Sequence, residues 1–222
     1  MNTPLPLLAV QNVAFSVAGR ARLQPVSFEL HPGDALLVTG PSGSGKSTLQ
    51  KIIASLVNPS AGQVLFQNRD ITTLKPETYR QQVSYCFQTP QLFGQTVYDN
   101  LALPWQIRRL QPERDKLVAA LESVNLAADR LNTPIEQLSG GEKQRVGLLR
   151  NVQFVPAVLL LDEVTSALDA ENRHTVLNMI NRLSVEKHVA VVRISHDMSD
   201  IQHAKRVLRL NTVHQEDTRE SA

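Results

Sequence analysis

Leu36-Leu37-Val38-Thr39-Gly40-Pro41-Ser42-Gly43-Ser44-Gly45-Lys46-Ser47-Thr48 decides the fold. Its first four residues form an apolar run of buried-strand type. The rest match G-x-x-x-x-G-K-[ST] in the setting that pattern requires, a strand before it and a helix after it. Glycine lets the backbone curl, so that successive N–H groups and the helix N-terminus face phosphate oxygens. In this reading Gly40, Pro41, Ser42, Gly43, Ser44 and Gly45 form a phosphate cradle that runs on through Ser47 and Thr48. Lys46 reaches the β- and γ-phosphates, and the Ser47 hydroxyl is a ligand for Mg²⁺. The loop alone does not separate a kinase, a GTPase and a transport ATPase.

Outward from the loop, short apolar runs alternate with helical patterns, which is the mark of an α/β domain with a mostly parallel sheet. Strands are predicted over 7–17, 26–30, 35–39, 63–67, 83–87, 158–162, 189–194 and 206–210, with Pro32-Gly33-Asp34 as a turn. Helices are predicted to begin at Lys46, after Pro112, after Ser139, near Ala170 and at Asp197. The span 91–150 has helical periodicity and no convincing strand, so it reads as a helical subdomain inserted in a single domain over 7–210. Residues 1–6 and 211–222 read as flexible tails.

Val158-Leu159-Leu160-Leu161-Asp162-Glu163 is an apolar strand ending in two acids. Strand side chains alternate and the chain turns at the strand end, so the acids can take different tasks. Beside a phosphate loop, Asp162 is expected to support Mg²⁺, through water, and Glu163 to orient or deprotonate an attacking water. Leu138-Ser139-Gly140-Gly141-Glu142-Lys143-Gln144-Arg145 is a second glycine-bearing helix start, in which Ser139 can cap the helix while N–H groups at 139–141 face an anion. One triphosphate needs only one such cradle within a chain.

This second stretch resembles the signature motif of the ABC ATPases. The resemblance implies a P-loop NTPase of the ABC nucleotide-binding type, with an antiparallel β subdomain and an inserted helical subdomain. It implies hydrolysis of ATP with Mg²⁺, in a homodimer formed on ATP binding. There Ser139, Gly140 and Gly141 of one subunit cover the γ-phosphate held by the other. Gln88 resembles the glutamine that touches Mg²⁺ and the attacking water. Ser166-Ala167-Leu168-Asp169 resembles the loop that crosses the dimer interface, with Asp169 near the nucleotide. His196, after Ile194-Ser195, resembles the histidine that contacts the γ-phosphate and holds Glu163. The family commonly stacks adenine on an aromatic residue at the end of the first strand. Val17 occupies that place here, and Phe15 lies two residues earlier, available as a substitute platform or as core.

Composition narrows the partners. Lys and Arg number 23 against 21 Asp and Glu, a formal charge of +2, which is not the basic stripe of a nucleic-acid binder. Cys86 is the single cysteine and cannot form an internal disulfide. No signal-peptide pattern opens the sequence, and no apolar run approaches the roughly 20 residues needed to span a bilayer. The expectation is a cytoplasmic chain, peripheral on the inner membrane through an integral membrane transporter subunit, with no direct contact to cargo. The stretches 74–86 and 96–108 resemble the ATPase subunits of bacterial iron-efflux ABC exporters, which implies export of iron or another metal ion. The competing reading is a nontransport ABC ATPase that regulates an envelope complex through a membrane scaffold.

Overall fold

The structure is a computed structural model that describes residues 5–212. In chain order its elements are β1 (Leu8–Val17), β2 (Arg20–Leu30), β3 (Ala35–Thr39), α1 (Lys46–Ile53), β4 (Ala61–Phe66), β5 (Arg69–Asp70), α2 (Pro76–Gln82) and β6 (Val83–Cys86). The second half adds α3 (Val97–Ile107), α4 (Arg114–Glu122), α5 (Gly140–Val152), β7 (Val158–Asp162), α6 (Ala170–Lys187), β8 (Ala190–Ile194), α7 (Met198–His203) and β9 (Val207–Arg209). No helix among the described residues is long and apolar enough to cross a membrane. The described residues divide into two compact units, one of residues 5–31, 36–79 and 194–212, the other of 32–35 and 80–193.

In the first unit an antiparallel sheet runs β2-β1-β4-β5. Ala18 and Gly19, both at positive φ, close the β1–β2 hairpin with a two-residue turn whose twist suits the strands. Pro25 is tolerated in β2 because β2 is the sheet's edge strand, where a missing N–H breaks no ladder. Strand β3 pairs in parallel with β9, Leu37 opposite Val207 and Thr39 opposite Arg209. Helix α1 buries Leu49, Ile52 and Ile53 completely, each worth roughly 1.5–3 kcal/mol of apolar transfer. Its C-terminal end is stopped from inside: the buried Tyr79 hydroxyl donates to Ile53 O at 2.6 Å, satisfying a carbonyl the helix cannot.

In the second unit β6 pairs in parallel with β7, from Val83 opposite Val158 to Cys86 opposite Leu161, and β8 lies beside β7. Every residue of β7 is buried, as expected of a strand covered on both faces. The apolar core joins Leu159 and Leu161 to Leu101, Leu117, Leu131 and Leu149 of the helical segments. Trp105 packs edge-on against Phe154, and the Arg108 guanidinium lies 4.2 Å over the Phe154 ring. The turn at Gly33 is held by its N–H donating to His188 O and by the Ser184 hydroxyl donating to Gly33 O.

The eight predicted strands and five predicted helix starts all correspond to elements of the structure, with ends shifted by a few residues. The second strand is longer than predicted because it begins at Arg20, in a polar stretch that carries no alternation. Strand β5 and helices α2 and α3 were not predicted. Among the described residues the span 91–150 holds α3, α4 and α5 and no strand, only an isolated bridge between Thr96 and Pro134. The tails expected at 1–6 and 211–222 fall mostly outside the described residues.

Candidate functional site

The first unit supplies the phosphate loop. Strand β3, buried from Leu36 to Thr39, delivers the chain to Gly40. A side chain at Gly40, at φ +142°, would bring a Cβ within 2.3 Å of Leu210 O, and one at Gly45, at φ +92°, within 2.5 Å of Arg22 O. Glycine is therefore required at both by backbone conformation and by close approach. The turn closes with Ser44 N–H donating to Pro41 O at 3.2 Å, and α1 begins at Lys46. The Lys46 ammonium lies folded into the loop, donating to Gly40 O at 2.8 Å and Pro41 O at 2.9 Å. Ser47 and Thr48 sit half-buried in the first turn, and Pro41, Ser42 and Gly43 are exposed. Ser44 is 1% exposed, and its hydroxyl has no hydrogen-bond partner. A left-turning glycine loop, an ammonium inside it and a helix start behind it fit a phosphate chain.

His196 belongs to the same unit. It is exposed just past β8, on a corner fixed by the Ser195 hydroxyl donating to Asp200 Oδ2 at 2.6 Å and by Asp197 capping α7 through Ser199 N–H. Val17 is 49% exposed at the hairpin tip, opposite Arg20, while Phe15 is half-buried opposite Leu23. A register shift falls between Phe15 and Ser16, so the strand's alternation of faces is interrupted between Phe15 and Val17.

The second unit holds the two acids. Asp162, 3% exposed at the end of β7, accepts a 2.8 Å hydrogen bond from the Tyr85 hydroxyl. Glu163 follows at φ +49°, a left-handed conformation that costs a non-glycine residue roughly 1 kcal/mol or more and gathers at functional sites. The Ser166 hydroxyl and N–H both donate to Glu163 O and hold the corner. Gln88, just beyond β6, donates from Nε2 to Glu163 Oε2 at 3.0 Å. Sequence reading named Gln88 and Glu163 separately; the structure brings them together.

The glycine-bearing helix start and the loop at 166–169 also meet within this unit. A Cβ on Gly141 would lie 3.3 Å from Leu168 Cδ2 and 3.4 Å from Ala167 O. Ser139 caps α5 in a capping box: its hydroxyl accepts from Glu142 N–H, and its own N–H donates to Glu142 Oε2 at 2.9 Å. That corrects the expectation that N–H groups at 139–141 all face an anion. The Ser139 N–H is committed to Glu142, and the outward amides of the first turn are those of Gly140 and Gly141. The Ser139 N–H, foremost, and then the Ser139 hydroxyl, Arg130 and Arg145 hold the Glu142 carboxyl below its usual range. Asp169 caps α6, and the Asn172 N–H holds its carboxyl below the usual range.

Sequence reading gave no role to Arg145 or Tyr85. Arg145 is buried and donates from Nη1 to Val124 O, Asn125 O and Asn172 Oδ1, so it ties α5 to the start of α6. Gln144 reaches Phe87 O at 3.5 Å. The oxygen donors proposed for a cation are a hydroxyl (Ser47), an amide (Gln88) and a carboxylate (Asp162). This hard set suits Mg²⁺, which keeps waters and takes phosphate oxygens for its remaining positions.

The profile of the ABC transporter family matches residues 23–166. The "Probable iron export ATP-binding protein FetA" of Escherichia coli (strain K12) is 53% identical over 205 residues, covering 92% of this chain and 91% of that protein. The "Cell division ATP-binding protein FtsE" of the same strain is 40% identical over 205 residues, covering 89% and 91%. Among solved structures, the dimeric post-hydrolysis state of the ATP-binding cassette MJ0796 bound to ADP and Pi superposes with a TM-score of 0.84. Its sequence identity is 26%, over 94% of this chain and 97% of that one.

Proposed function

The chain belongs to the ABC transporter family of ATPases, and on that premise we propose that it binds and hydrolyses MgATP as a homodimer to power export of iron through a separate membrane subunit. The observation that carries the ATPase part is the acid pair: a buried Asp162 and a left-handed Glu163 held by Gln88, in a chain that also has the Lys46 loop. The identity of 53% over 92% of the chain to a probable iron-export protein supports the cargo.

Bound MgATP supplies the anhydride and a cation that neutralises its oxygens. This chain's residues do the rest. The Lys46 ammonium exchanges Gly40 O and Pro41 O for β- and γ-phosphate oxygens, and the loop amides from Gly40 to Thr48 orient the chain of phosphates. Ser47, Gln88 and Asp162 would hold the cation, which would offset charge on the phosphate oxygens. Glu163 takes the proton of the attacking water, and His196 steadies the γ-phosphate. Ser139, Gly140 and Gly141 cover the nucleotide of the other subunit, with Asp169 at that interface. The helical segment 91–150 is read as the subdomain that faces the membrane partner, on the cytoplasmic side of the inner membrane.

Adenine is the least furnished part of the site. Val17 offers apolar contact without a ring, so Val17→Tyr is expected to tighten ATP binding by roughly 0.5–1.5 kcal/mol. Titration calorimetry checks this. If Phe15 already supplies the platform, Phe15→Ala weakens binding and Val17→Tyr does little.

Cells lacking the chain are expected to accumulate iron under iron load, and restoration with Glu163→Gln is expected not to rescue them. Elemental analysis of cell iron reads the result. Unchanged iron, with another solute rising, would remove the iron assignment and leave the motor assignment standing. The relative at 40% identity that acts in cell division favours a second reading, an ATPase that regulates an envelope complex. Co-purification separates the two. A multi-span partner that carries flux supports transport, and a scaffold without flux supports regulation.

A further inference from the structure

Residues 85–88 hold both acids of the site through two separate donors. Tyr85 lies opposite Leu160 in the β6–β7 ladder, and Asp162, two residues on, shares a sheet face with Leu160. A long side chain reaches that diagonal position, and the Tyr85 hydroxyl does so at 2.8 Å from Asp162 Oδ2. Tyr85 and Asp162 are 8% and 3% exposed. The Tyr85 ring leans on Phe87, centroids 4.5 Å apart, and Gln88 then binds Glu163 at 3.0 Å.

The terminal torsion of an aspartate has a broad, soft profile, so the rotation of its carboxylate is set by hydrogen bonds rather than by rotamer preference. We propose that Tyr85 is a positioning residue for the metal: its hydroxyl fixes the plane of the Asp162 carboxylate and thereby sets the affinity for the Mg²⁺ that accompanies the nucleotide. The inference rests on the reading of Asp162 as the metal-supporting acid. Phenylalanine would fill the same space and keep the contact with Phe87; the hydroxyl adds only the donor.

Tyr85→Phe isolates that donor. The full-length chain carrying Glu163→Gln, which removes turnover, is titrated with Mn²⁺ in the presence of ATP, and free Mn²⁺ is read by electron paramagnetic resonance. Adding Tyr85→Phe is expected to raise half-saturating Mn²⁺ about 10-fold, the lower end for a hydrogen bond to a charged group. ATP affinity in EDTA should stay unchanged, which a general loss of structure would not allow. Unchanged Mn²⁺ half-saturation overturns the proposal, and so does a parallel fall in metal-free ATP affinity. If the chain with Tyr85 intact takes up no Mn²⁺ with ATP, the role of Asp162 fails and the proposal fails with it.

Discussion

Glu163→Gln retains MgATP and loses turnover by about 10²–10⁴-fold, the range that a positioned general base contributes. The change is isosteric and leaves an amide able to keep its contact with Gln88, so the site is expected to form and the proton acceptor alone to be lost. The left-handed backbone at Glu163 and the two Ser166 hydrogen bonds belong to the main chain and survive the substitution. Steady-state phosphate release, measured beside equilibrium ATP binding, checks both halves of the expectation. Near-normal release would remove Glu163 from its assigned role. Lys46→Ala should fail differently, because it removes charge-assisted hydrogen bonds to phosphate. Binding itself should weaken, by roughly 10- to 100-fold.

The second large effect tests geometry between subunits. In the proposed dimer each nucleotide is held by the Lys46 loop of one protomer and covered by Ser139 to Gly141 of its partner. Lys46→Ala and Ser139→Arg homodimers then have no intact site. A mixed dimer, with one change in each protomer, places both defects in one site and leaves the other whole. Activity in the mixed dimer, against a loss on the order of 10²–10³-fold in either homodimer, is the expected outcome, since oxyanion-type donors contribute on that scale. Tagged co-expression yields the mixed species, and trapping of labelled nucleotide counts the occupied sites. A mixed dimer with one trapped nucleotide and no turnover would mean that the two sites are strictly coupled. One with neither would remove the cross-subunit assignment.

Much of this site was legible in the sequence because its motifs are local. The Gly40 to Thr48 loop, the acids at 162–163 and the helix start at Ser139 each declare themselves within a few residues, and strand or helix patterns flank them. The capping box was legible too: Ser139-Gly140-Gly141-Glu142 places a glutamate three residues after a serine, and that pairing, once weighed, withdraws the Ser139 N–H from the anion. Pairings across long sequence distances were not legible. Tyr85 and Asp162 are 77 residues apart, and only the parallel register of β6 on β7 makes them diagonal neighbours. Arg145 and Asn172 meet only once α5 is set beside the start of α6.

The unpredicted elements have physical reasons of their own. Helix α3 carries Pro104 in its interior, which argues against a helix in any pattern-based reading. The compensating signal lies at its start, where Thr96 and Asp99 form a capping box and the buried Asn100 side chain bonds Phe93 and Thr96. Helix α2 is seven residues long with Pro76 first, too short for a periodic signal although proline is well placed at that position. Strand β5 has two residues, and only its pairing with β4 makes it a strand.

The central claim is that two copies of this chain enclose two nucleotides and that neither copy alone forms a complete site. Native mass spectrometry of the Glu163→Gln chain in MgATP tests it most directly. The account predicts a species of twice the chain mass carrying two ATP molecules, dispersing to monomers when ATP is removed. A monomer that binds ATP at full affinity and shows no dimer at any nucleotide concentration would contradict it.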